Sequence, residues 1–214
     1  MIILWTDNFN LDSQKLDKAI EETLKIPDCL VKVDTTERYH STYYISDIFE
    51  HPEIVFLEEY KDVITKFMKS VGLYEKSSFT FNHWMQVYQG NQIGHPVHEH
   101  FKYNTFFSWV HFLRPTKDKC FFFIDGQGNK VYPENQNPGD FIIFPSWADH
   151  GVEPINENGD EKRVVIAGNI SCNVMKLCGG YIAQYNNVSG ATQVVEIYDP
   201  QQRVVGIDSV YPSS

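Results

Sequence analysis

The sequence predicts a mainly β protein with N-terminal helices, whose core is an antiparallel sandwich or barrel such as a jelly roll. From residue 79 onward, short aromatic and β-branched runs alternate with turn sequences rich in glycine, proline and asparagine. No helical period separates these runs, which is typical of antiparallel all-β cores. In the first seventy-odd residues, by contrast, apolar side chains recur every three to four positions, the spacing of amphipathic helices.

Two helices are predicted in the N-terminal segment. Asp12 or Ser13 caps the first helix, because either side chain can accept a hydrogen bond from the first turn. The second helix begins at Pro52, which suits a first-turn position, and ends at Gly72. The predicted apolar faces of the two helices are formed by Leu16, Ile20, Leu24, Ile54, Leu57, Val63, Ile64, Phe67, Met68 and Val71.

The β core is predicted from five runs separated by turn sequences. These runs are FTFNHWMQVYQ (79–89), FFSWVHFL (106–113), KCFFFID (119–125), DFIIFP (140–145) and KRVVIAGNI (162–170). Two further strands, QVVEIYD and RVVGIDSV, are expected around PQQ in the tail. We therefore expect one domain over residues 1–214, with a mainly helical segment (1–75) packed on the core (79–175) and a β-rich extension (176–214).

Composition limits the cellular compartments and the partners that are consistent with the sequence. The chain has 214 residues and a formal net charge of −10, which disfavours a nucleic-acid partner because such partners select basic surfaces. No apolar run approaches the roughly 18 residues of a membrane span, and the N-terminus lacks the features of a signal peptide. The four cysteines form no CxxC pair, so we expect free thiols in the cytoplasm, either of the cell itself or of an infected host.

A dense histidine motif, GHPVHEHF, precedes the second core run. In an extended strand His98 and His100 project to one face and Glu99 to the other. A strand ends at Pro145, and the chain then presents His150, which an adjacent antiparallel strand could bring across from the pair. Three imidazoles with open positions opposite suit Fe(II), Zn, Cu, Ni or Mn, so the spacing alone does not name the metal. The remaining histidines of interest, His83, His95 and His111, have no such partner and are predicted to be hydrogen-bonding or surface residues.

The ordered combination of H-E-H, PGDFIIFPSWADHGVEPI and KRVVIAGNI resembles the iron(II)/2-oxoglutarate-dependent oxygenases. The likeness is to small bacterial and phage-type members, and it covers residues 82 to 171. The resemblance implies a distorted double-stranded β-helix, a cupin-like variant of the jelly roll. It also implies Fe(II), the co-substrate 2-oxoglutarate and O2, in a reaction that couples decarboxylation of 2-oxoglutarate to hydroxylation of a substrate.

Carried onto this sequence, the resemblance makes His98 the first metal ligand and His150 the distal one, while His100 occupies the position of the usual carboxylate. Arg163 matches the arginine that pairs with the distal carboxylate of 2-oxoglutarate. The same resemblance makes Tyr88 a further co-substrate contact. Asn169 is a polar candidate because it shares a face of the same strand with Arg163.

Two departures separate this chain from the family pattern. His100 replaces an anionic ligand with a neutral one, which makes the metal site one unit more positive. Val165 stands two positions after Arg163, where serine is common, so one co-substrate hydrogen bond is absent. Glu99 could act as a ligand only if a bulge rotated the strand.

Two other functional classes remain open at the level of sequence. The distal motif also resembles a second cupin motif, and three-histidine cupins include metalloenzymes that do not use 2-oxoglutarate. A jelly roll can instead be a non-catalytic binding or structural module, with a zinc or nickel ion as a stabilising clip. Arg163 distinguishes the 2-oxoglutarate-dependent oxygenases from these two classes, because only the oxygenases need a cation at that depth. Within that class, protein side chains, nucleobases and small metabolites all remain open as substrates.

Overall fold

The computed structural model describes most of the chain, with short gaps. The described residues are 3–33, 36–45, 51–74, 77–89, 94–101, 105–154, 162–176, 182–188, 192–198 and 204–210, and beyond residue 172 the description covers backbone only.

Two α-helices form in the N-terminal segment: α1 (Ser13–Lys25) and α2 (Leu57–Ser70). The Asp12 side chain caps α1 by accepting a hydrogen bond of 2.9 Å from the backbone N–H of Lys15, as the sequence predicted. Gly72 ends α2 with a φ of 69°, a left-handed conformation that suits glycine. In the described part of the chain, we find no helix long and apolar enough to cross a membrane.

The second predicted helix differs from the structure in its first turn and in three apolar positions. Pro52–Phe56 form a 3-10 turn, and the α-helix begins only at Leu57. The predicted apolar face held Ile54, Leu57 and Val71, but these side chains are 50%, 37% and 43% exposed. The tighter 3-10 turn rotates Ile54 out of phase with the α-helical stripe that follows.

The strands, in chain order, are β1 (Trp5–Asn8), β2 (Leu30–Val33), β3 (Thr36–Ser41), β4 (Ser77–Gln89), β5 (Thr105–Arg114), β6 (Phe121–Ile124), β7 (Lys130–Val131), β8 (Asp140–Pro145), β9 (His150–Val152), β10 (Lys162–Lys176), β11 (Ile182–Val188), β12 (Thr192–Tyr198) and β13 (Val204–Val210). All five predicted core runs are strands (β4, β5, β6, β8 and β10), which confirms the predicted fold class. Strands β1 to β3, β7, β9 and β11 were not among the predicted runs.

Strand β10 is the centre of a large antiparallel sheet. It pairs along its length with β4 on one side and with β5 on the other. The sheet continues through β8 to β1 beyond β5, and through β3 to β2 beyond β4. A second sheet contains β7, β6 and β9, and the two sheets face each other as in a jelly roll. Strands β11, β12 and β13 continue from β10 as successive antiparallel hairpins.

Alternation along the central strands divides the core into two apolar clusters. One face of the large sheet packs against α1 and α2, and Val164 and Ile166 of β10 lie in that cluster. The opposite face looks into the barrel, where Val165 and Ala167 pack with side chains of the small sheet such as Phe121. Because successive strand residues face opposite sides, odd-numbered positions of β10 point toward the barrel interior.

Candidate active site

His98 and His150 are brought together by a short backbone bridge. The N–H of His98 donates to the carbonyl of His150 (2.9 Å), and the N–H of His150 donates to the carbonyl of His98 (3.0 Å). Directly opposed residues of an antiparallel pair share a face, and their ring centroids are 4.3 Å apart. Gly94 allows the close approach, because a Cβ at this position would lie 1.9 Å from the carbonyl oxygen of Val152.

His100 completes a cluster with these two histidines. Its N–H donates to the carbonyl of Ser146 (2.8 Å), which continues the approach of the two segments. Its ring centroid lies 4.9 Å from that of His98 and 5.2 Å from that of His150. One ring nitrogen from each histidine fits within a group whose members all lie within 4.8 Å of one another. The structure therefore brings together the three histidines that the sequence singled out.

The tautomers of two of these rings are set by backbone carbonyls. Nδ1 of His98 lies 2.9 Å from the carbonyl oxygen of Pro96, and Nδ1 of His150 lies 2.8 Å from that of Ala148. A carbonyl oxygen only accepts, so each Nδ1 carries the proton and each Nε2 keeps its lone pair. This is the arrangement of metal-binding histidines, whose second nitrogen is anchored by a hydrogen bond.

Burial keeps these rings neutral. It lowers the pKa of His98 below its usual value and that of His150 well below it. The charge of neighbouring histidines adds to the effect at His150. A neutral imidazole is the form that binds a metal, so the environment favours the ligating state.

The adjacent polar groups of the motif have other contacts. The carboxylate of Glu99 accepts a hydrogen bond from the backbone N–H of Phe101, so it is held by its own loop rather than by the histidine cluster. His95 is half-buried beside His98, with ring centroids 4.2 Å apart, and its Nδ1 lies 3.2 Å from the carbonyl oxygen of Pro96. In the described part of the chain, the cluster of His98, His100 and His150 is the one group with metal-ligand spacing.

Arg163 lies inside the barrel against Tyr88. The Arg163 side chain is only 3% exposed, and its guanidinium carbon lies 4.7 Å from the centroid of the Tyr88 ring. Nε and Nη1 of Arg163 have no hydrogen-bond partner among the described residues. Tyr39 stacks on Tyr88, with ring centroids 4.9 Å apart. Burial raises the pKa of Tyr88 to about 12, so its hydroxyl stays protonated and donates to Oε1 of Gln86 (3.1 Å).

Asn169 lies on the same face of β10 as Arg163 but at the other end of the barrel. Six residues separate them, which is about 20 Å along an extended strand. Oδ1 of Asn169 accepts a hydrogen bond of 2.8 Å from the Ser108 hydroxyl, and its backbone N–H donates to Oδ1 of Asn82. This spacing does not favour the predicted contact between Asn169 and a co-substrate anchored at Arg163, because 2-oxoglutarate is too short to reach both.

A cavity of about 470 Å³ opens at the histidine cluster. The sequence predicted His98, His100 and Asn169 as site residues but missed His95 and most of the other lining residues. The other missed residues are Ser41, Tyr43, Tyr44, Asn82, Gln86, Thr105 and Ser171. The sequence contained a signal for two of them. Asn82 and Gln86 are each two positions from Trp84, so they lie on the same inward face of β4 as Trp84 and Tyr88.

Two tryptophans that belong to or follow core strands lie outside the barrel interior. Trp147 is 59% exposed, in the turn between β8 and β9. Trp109 is fully buried but packs on the helix side of the large sheet, against Tyr60 at 4.7 Å between ring centroids. Trp84 and Phe144, in contrast, do lie in the interior cluster. The alternation of β5 explains Trp109, because its neighbour Val110 takes the inward position.

Comparisons with known proteins were made for sequence and for structure. No family model and no curated protein sequence matches the chain. Among solved structures, a prolyl hydroxylase from Trichoplax adhaerens, in complex with a hypoxia inducible factor peptide, is similar with a TM-score of 0.52 and 15% identity, covering 78% of this chain and 82% of that one. An oxidoreductase of the 2OG-Fe(II) oxygenase family from Burkholderia pseudomallei has a TM-score of 0.52 and 16% identity, with 75% and 80% covered.

A third similar structure is the non-heme alpha ketoglutarate dependent carbocyclase of nogalamycin biosynthesis, with a TM-score of 0.56, 12% identity and coverage of 80% and 81%. A hydroxylase and a carbocyclase share this architecture, so the fold does not by itself define the reaction. The histidine cluster and the buried arginine lie inside the barrel that these proteins have in common with the chain. The protein has the double-stranded β-helix fold of the 2OG-Fe(II) oxygenases.

Proposed function

We propose that the protein is an Fe(II)/2-oxoglutarate-dependent oxygenase that hydroxylates a substrate. The observation that carries this proposal is the buried guanidinium of Arg163, whose Nε and Nη1 have no partner among the described residues. A buried cation with no carboxylate partner among the described residues is unfavourable, so the site is suited to an anion that pairs with it. A carboxylate fits, because guanidinium and carboxylate pair through two parallel hydrogen bonds.

Each of the site residues has a role in this proposal. His98, His100 and His150 would hold the metal through one ring nitrogen each. Bound Fe(II) would supply the redox chemistry that couples oxidation of 2-oxoglutarate by O2 to oxidation of the substrate. Arg163 would pair with the distal carboxylate of 2-oxoglutarate, with Tyr88 packed against the guanidinium. The apolar interior cluster, which includes Val165 and Phe121, would exclude water from the co-substrate.

The donor set of the metal site is uncharged. Three neutral imidazoles leave the charge of a divalent ion uncompensated by the protein, and Arg163 adds a further positive charge nearby. The dianion 2-oxoglutarate would offset both charges, which favours co-substrate binding in this site. The donor types suit Fe(II), since imidazole is among its ordinary ligands.

The proposal is tested by adding Fe(II) and 2-oxoglutarate to the metal-free protein without O2 and then admitting O2. We expect a visible charge-transfer absorption in the anaerobic complex and formation of succinate after O2 is admitted, even without a primary substrate. His150→Ala is expected to abolish both signals because it removes one of three ligands. A folded wild-type protein that binds Fe(II) yet shows neither 2-oxoglutarate binding nor succinate would contradict the proposal.

A second candidate is a three-histidine cupin-type metalloenzyme that does not use 2-oxoglutarate. The observation in its favour is the donor set itself, because the described cluster holds three histidines and no carboxylate. The same titration separates the two candidates. Metal binding without 2-oxoglutarate binding would support the second.

A further inference from the structure

The cavity at the histidines extends to Asn82, Asn169 and Ser171, which lie beyond the reach of a co-substrate anchored at Arg163. A five-carbon diacid spans roughly 7 Å, about a third of the distance along β10 from Arg163 to Asn169. Asn169 and Asn82 line the cavity at this outer end, while Trp84 lies next to His100, with ring centroids 5.9 Å apart. Space for a further ligand therefore lies between the histidines and this pair of asparagines.

Three carboxamides in the cavity wall are oriented as hydrogen-bond donors. Oδ1 of Asn82 accepts from a backbone N–H, Oδ1 of Asn169 accepts from a serine hydroxyl, and Oε1 of Gln86 accepts from a tyrosine hydroxyl. With each oxygen engaged in this way, the NH2 group of each side chain is the atom left for a ligand. None of the three NH2 groups donates to another described residue. The wall is thus suited to a ligand that presents acceptor oxygens.

Aromatic side chains also line this cavity. Tyr43 and Tyr44 line the cavity although they are 53% and 58% exposed. Tyr43 packs edge-on against Tyr44 (5.1 Å) and against Trp84 (4.9 Å), so the three rings form one continuous apolar surface. Thr42, in the same 3-10 turn as the two tyrosines, anchors them because its hydroxyl donates a hydrogen bond to the buried carboxylate of Glu53.

Exposed apolar side chains occur in the chain segments that carry the histidines. Val97 and Phe101 flank the histidine segment and are 47% and 56% exposed. Trp147, also exposed, follows Ser146, whose carbonyl accepts from the N–H of His100. Exposed aromatic side chains grouped around a cleft are typical of surfaces that bind another polypeptide.

The side chains that line the cavity do not favour a phosphate-bearing ligand. Among the described lining residues none is a lysine or an arginine, and the one charged side chain is Glu99. A nucleic acid or a nucleotide would need lysine or arginine side chains near the aromatic rings of the cavity to neutralise its phosphates. An uncharged ligand with carbonyl oxygens and an apolar side chain satisfies both the carboxamides and the tyrosines.

From these contacts we infer that the substrate of the proposed oxygenase is a polypeptide segment bound in extended conformation across the mouth of the cavity. Its backbone carbonyls accept hydrogen bonds from Asn82, Asn169 and Gln86, and an apolar side chain rests on Tyr43 and Tyr44. Asn82 and Gln86 lie four residues apart on β4, about 13 Å, and carbonyls on one side of an extended peptide recur every 7 Å or so. Two repeats of the peptide therefore match the spacing of the two donors.

A phage-displayed library of short random peptides, selected on the immobilised metal-free full chain, tests this inference. We expect enrichment of uncharged or cationic peptides with apolar side chains. A synthetic peptide from the selection is expected to bind the wild-type protein in solution and to quench its tryptophan fluorescence. Absence of enrichment over a surface without protein, or preferential binding of oligothymidylate, would overturn the inference.

Isosteric variants locate the peptide in the cavity. Asn82→Asp and Asn169→Asp keep the side-chain size and one acceptor oxygen and replace only the NH2 donor, so each should weaken peptide binding about tenfold. Tyr44→Ala should weaken it by a similar factor, whereas Tyr74→Ala, at an exposed tyrosine near the end of α2, should have no effect. Equal peptide affinity of Tyr44→Ala, Asn82→Asp and the wild type would contradict the assigned surface.

The selection needs neither metal nor co-substrate, so its outcome is independent of the oxygenase test. Peptide binding without 2-oxoglutarate binding would leave the surface in place and remove the oxygenase. Succinate formation in the oxygenase test, together with a selection that enriches no peptide, would leave the oxygenase in place and remove the polypeptide substrate.

Discussion

Arg163 has an unusual environment, because a cation is buried against an aromatic ring and two of its nitrogens have no partner among the described residues. The cation–π interaction with the Tyr88 ring offsets part of the free energy lost when the guanidinium is removed from water. The remaining hydrogen-bonding capacity points to a ligand. A substitution at Arg163 therefore tests the co-substrate assignment more directly than a substitution at the histidines.

Replacing Arg163 by alanine is expected to weaken 2-oxoglutarate binding by roughly two orders of magnitude, since a buried charge-assisted pair contributes about 2 to 3 kcal/mol. Fe(II) affinity should change little, because the histidines are untouched. The measurement is an anaerobic titration of the Fe(II) protein with 2-oxoglutarate. Arg114→Ala is the matched control, at a partly exposed arginine that pairs with Asp17. Unchanged affinity in Arg163→Ala would show that the co-substrate binds elsewhere.

His111 is a buried histidine outside the site, and its tautomer follows from its two partners. Its Nε2 lies 3.0 Å from the carbonyl oxygen of Phe9 and its Nδ1 lies 3.0 Å from the hydroxyl of Tyr60. The carbonyl requires a proton on Nε2, so Nδ1 accepts from Tyr60. Burial lowers the pKa of His111 to about 4.

This lowered pKa makes the folded state sensitive to acid. The unfolded chain binds the proton near pH 6.5, so the contribution of neutral His111 to stability is complete above that pH and is lost as the pH falls toward 4. The loss reaches about 3 kcal/mol at most. We expect His111→Gln to be less stable than the wild type at neutral pH, with a difference that shrinks as the pH falls. Urea unfolding at several pH values measures it, and a difference independent of pH would be inconsistent with a neutral buried His111.

At the scale of elements, β10 and its two neighbours approach so closely that one position excludes a side chain. A Cβ at Gly168 would lie 2.2 Å from the carbonyl oxygen of Asn82 and 2.5 Å from the indole of Trp109. The indole therefore lies over the strand where a side chain would otherwise stand. This contact joins β4, β5 and β10 on the helix side of the sheet.

Gly168→Ala is accordingly expected to lower the free energy of unfolding by about 2 kcal/mol or more, because both neighbours must move. Gly126→Ala provides the control, since a Cβ at that turn position meets no atom within 4 Å. Chemical denaturation of both variants gives the comparison. Similar stabilities for the two variants would mean that the sheet adapts to the extra methyl group.

The elements that the sequence predicted are those whose own residues carry a signal. The runs of β4, β5, β8 and β10 are long and apolar, and the spacing in α1 is regular. Strand β1 (WTDN) has no such pattern, and it is held by pairing with β8, a partner more than 130 residues away. The histidines were predicted because alternation and antiparallel pairing bring them together. Tyr43 and Tyr44 were missed because they lie in a 3-10 turn after β3, and no local pattern places that turn at the cavity.

At the scale of the whole molecule, the histidine cluster joins two distant parts of the chain. His98 and His100 belong to the loop before β5, whereas His150 begins β9 in the small sheet. In the unfolded chain these residues are far apart on average, so a metal ion that needs all three binds the folded state selectively. Binding to the folded state alone raises stability by mass action.

A metal ion is therefore expected to raise the midpoint of thermal unfolding, and chelator is expected to reverse the rise. At a free metal concentration 100 times the dissociation constant, the gain is about 2.7 kcal/mol. Ni²⁺ avoids oxidation during the scan and serves as the probe for differential scanning fluorimetry. His98→Ala should unfold at the same temperature with and without Ni²⁺. A full shift in His98→Ala would place the ion at another site.

Strand β4 carries two alternating sets of side chains, and this alternation links the geometry of the candidate site to correct folding. Met85 and Val87 contribute to the core under the helices, while Trp84, Gln86 and Tyr88 face the cavity. If β4 slipped by one residue against β10, every side chain would change sides, and the apolar pair would be exposed to the cavity. Packing against the helices therefore favours the one register of β4 that also places the site residues correctly. A chain that has packed its helices correctly has, by the same step, aligned Tyr88 with Arg163.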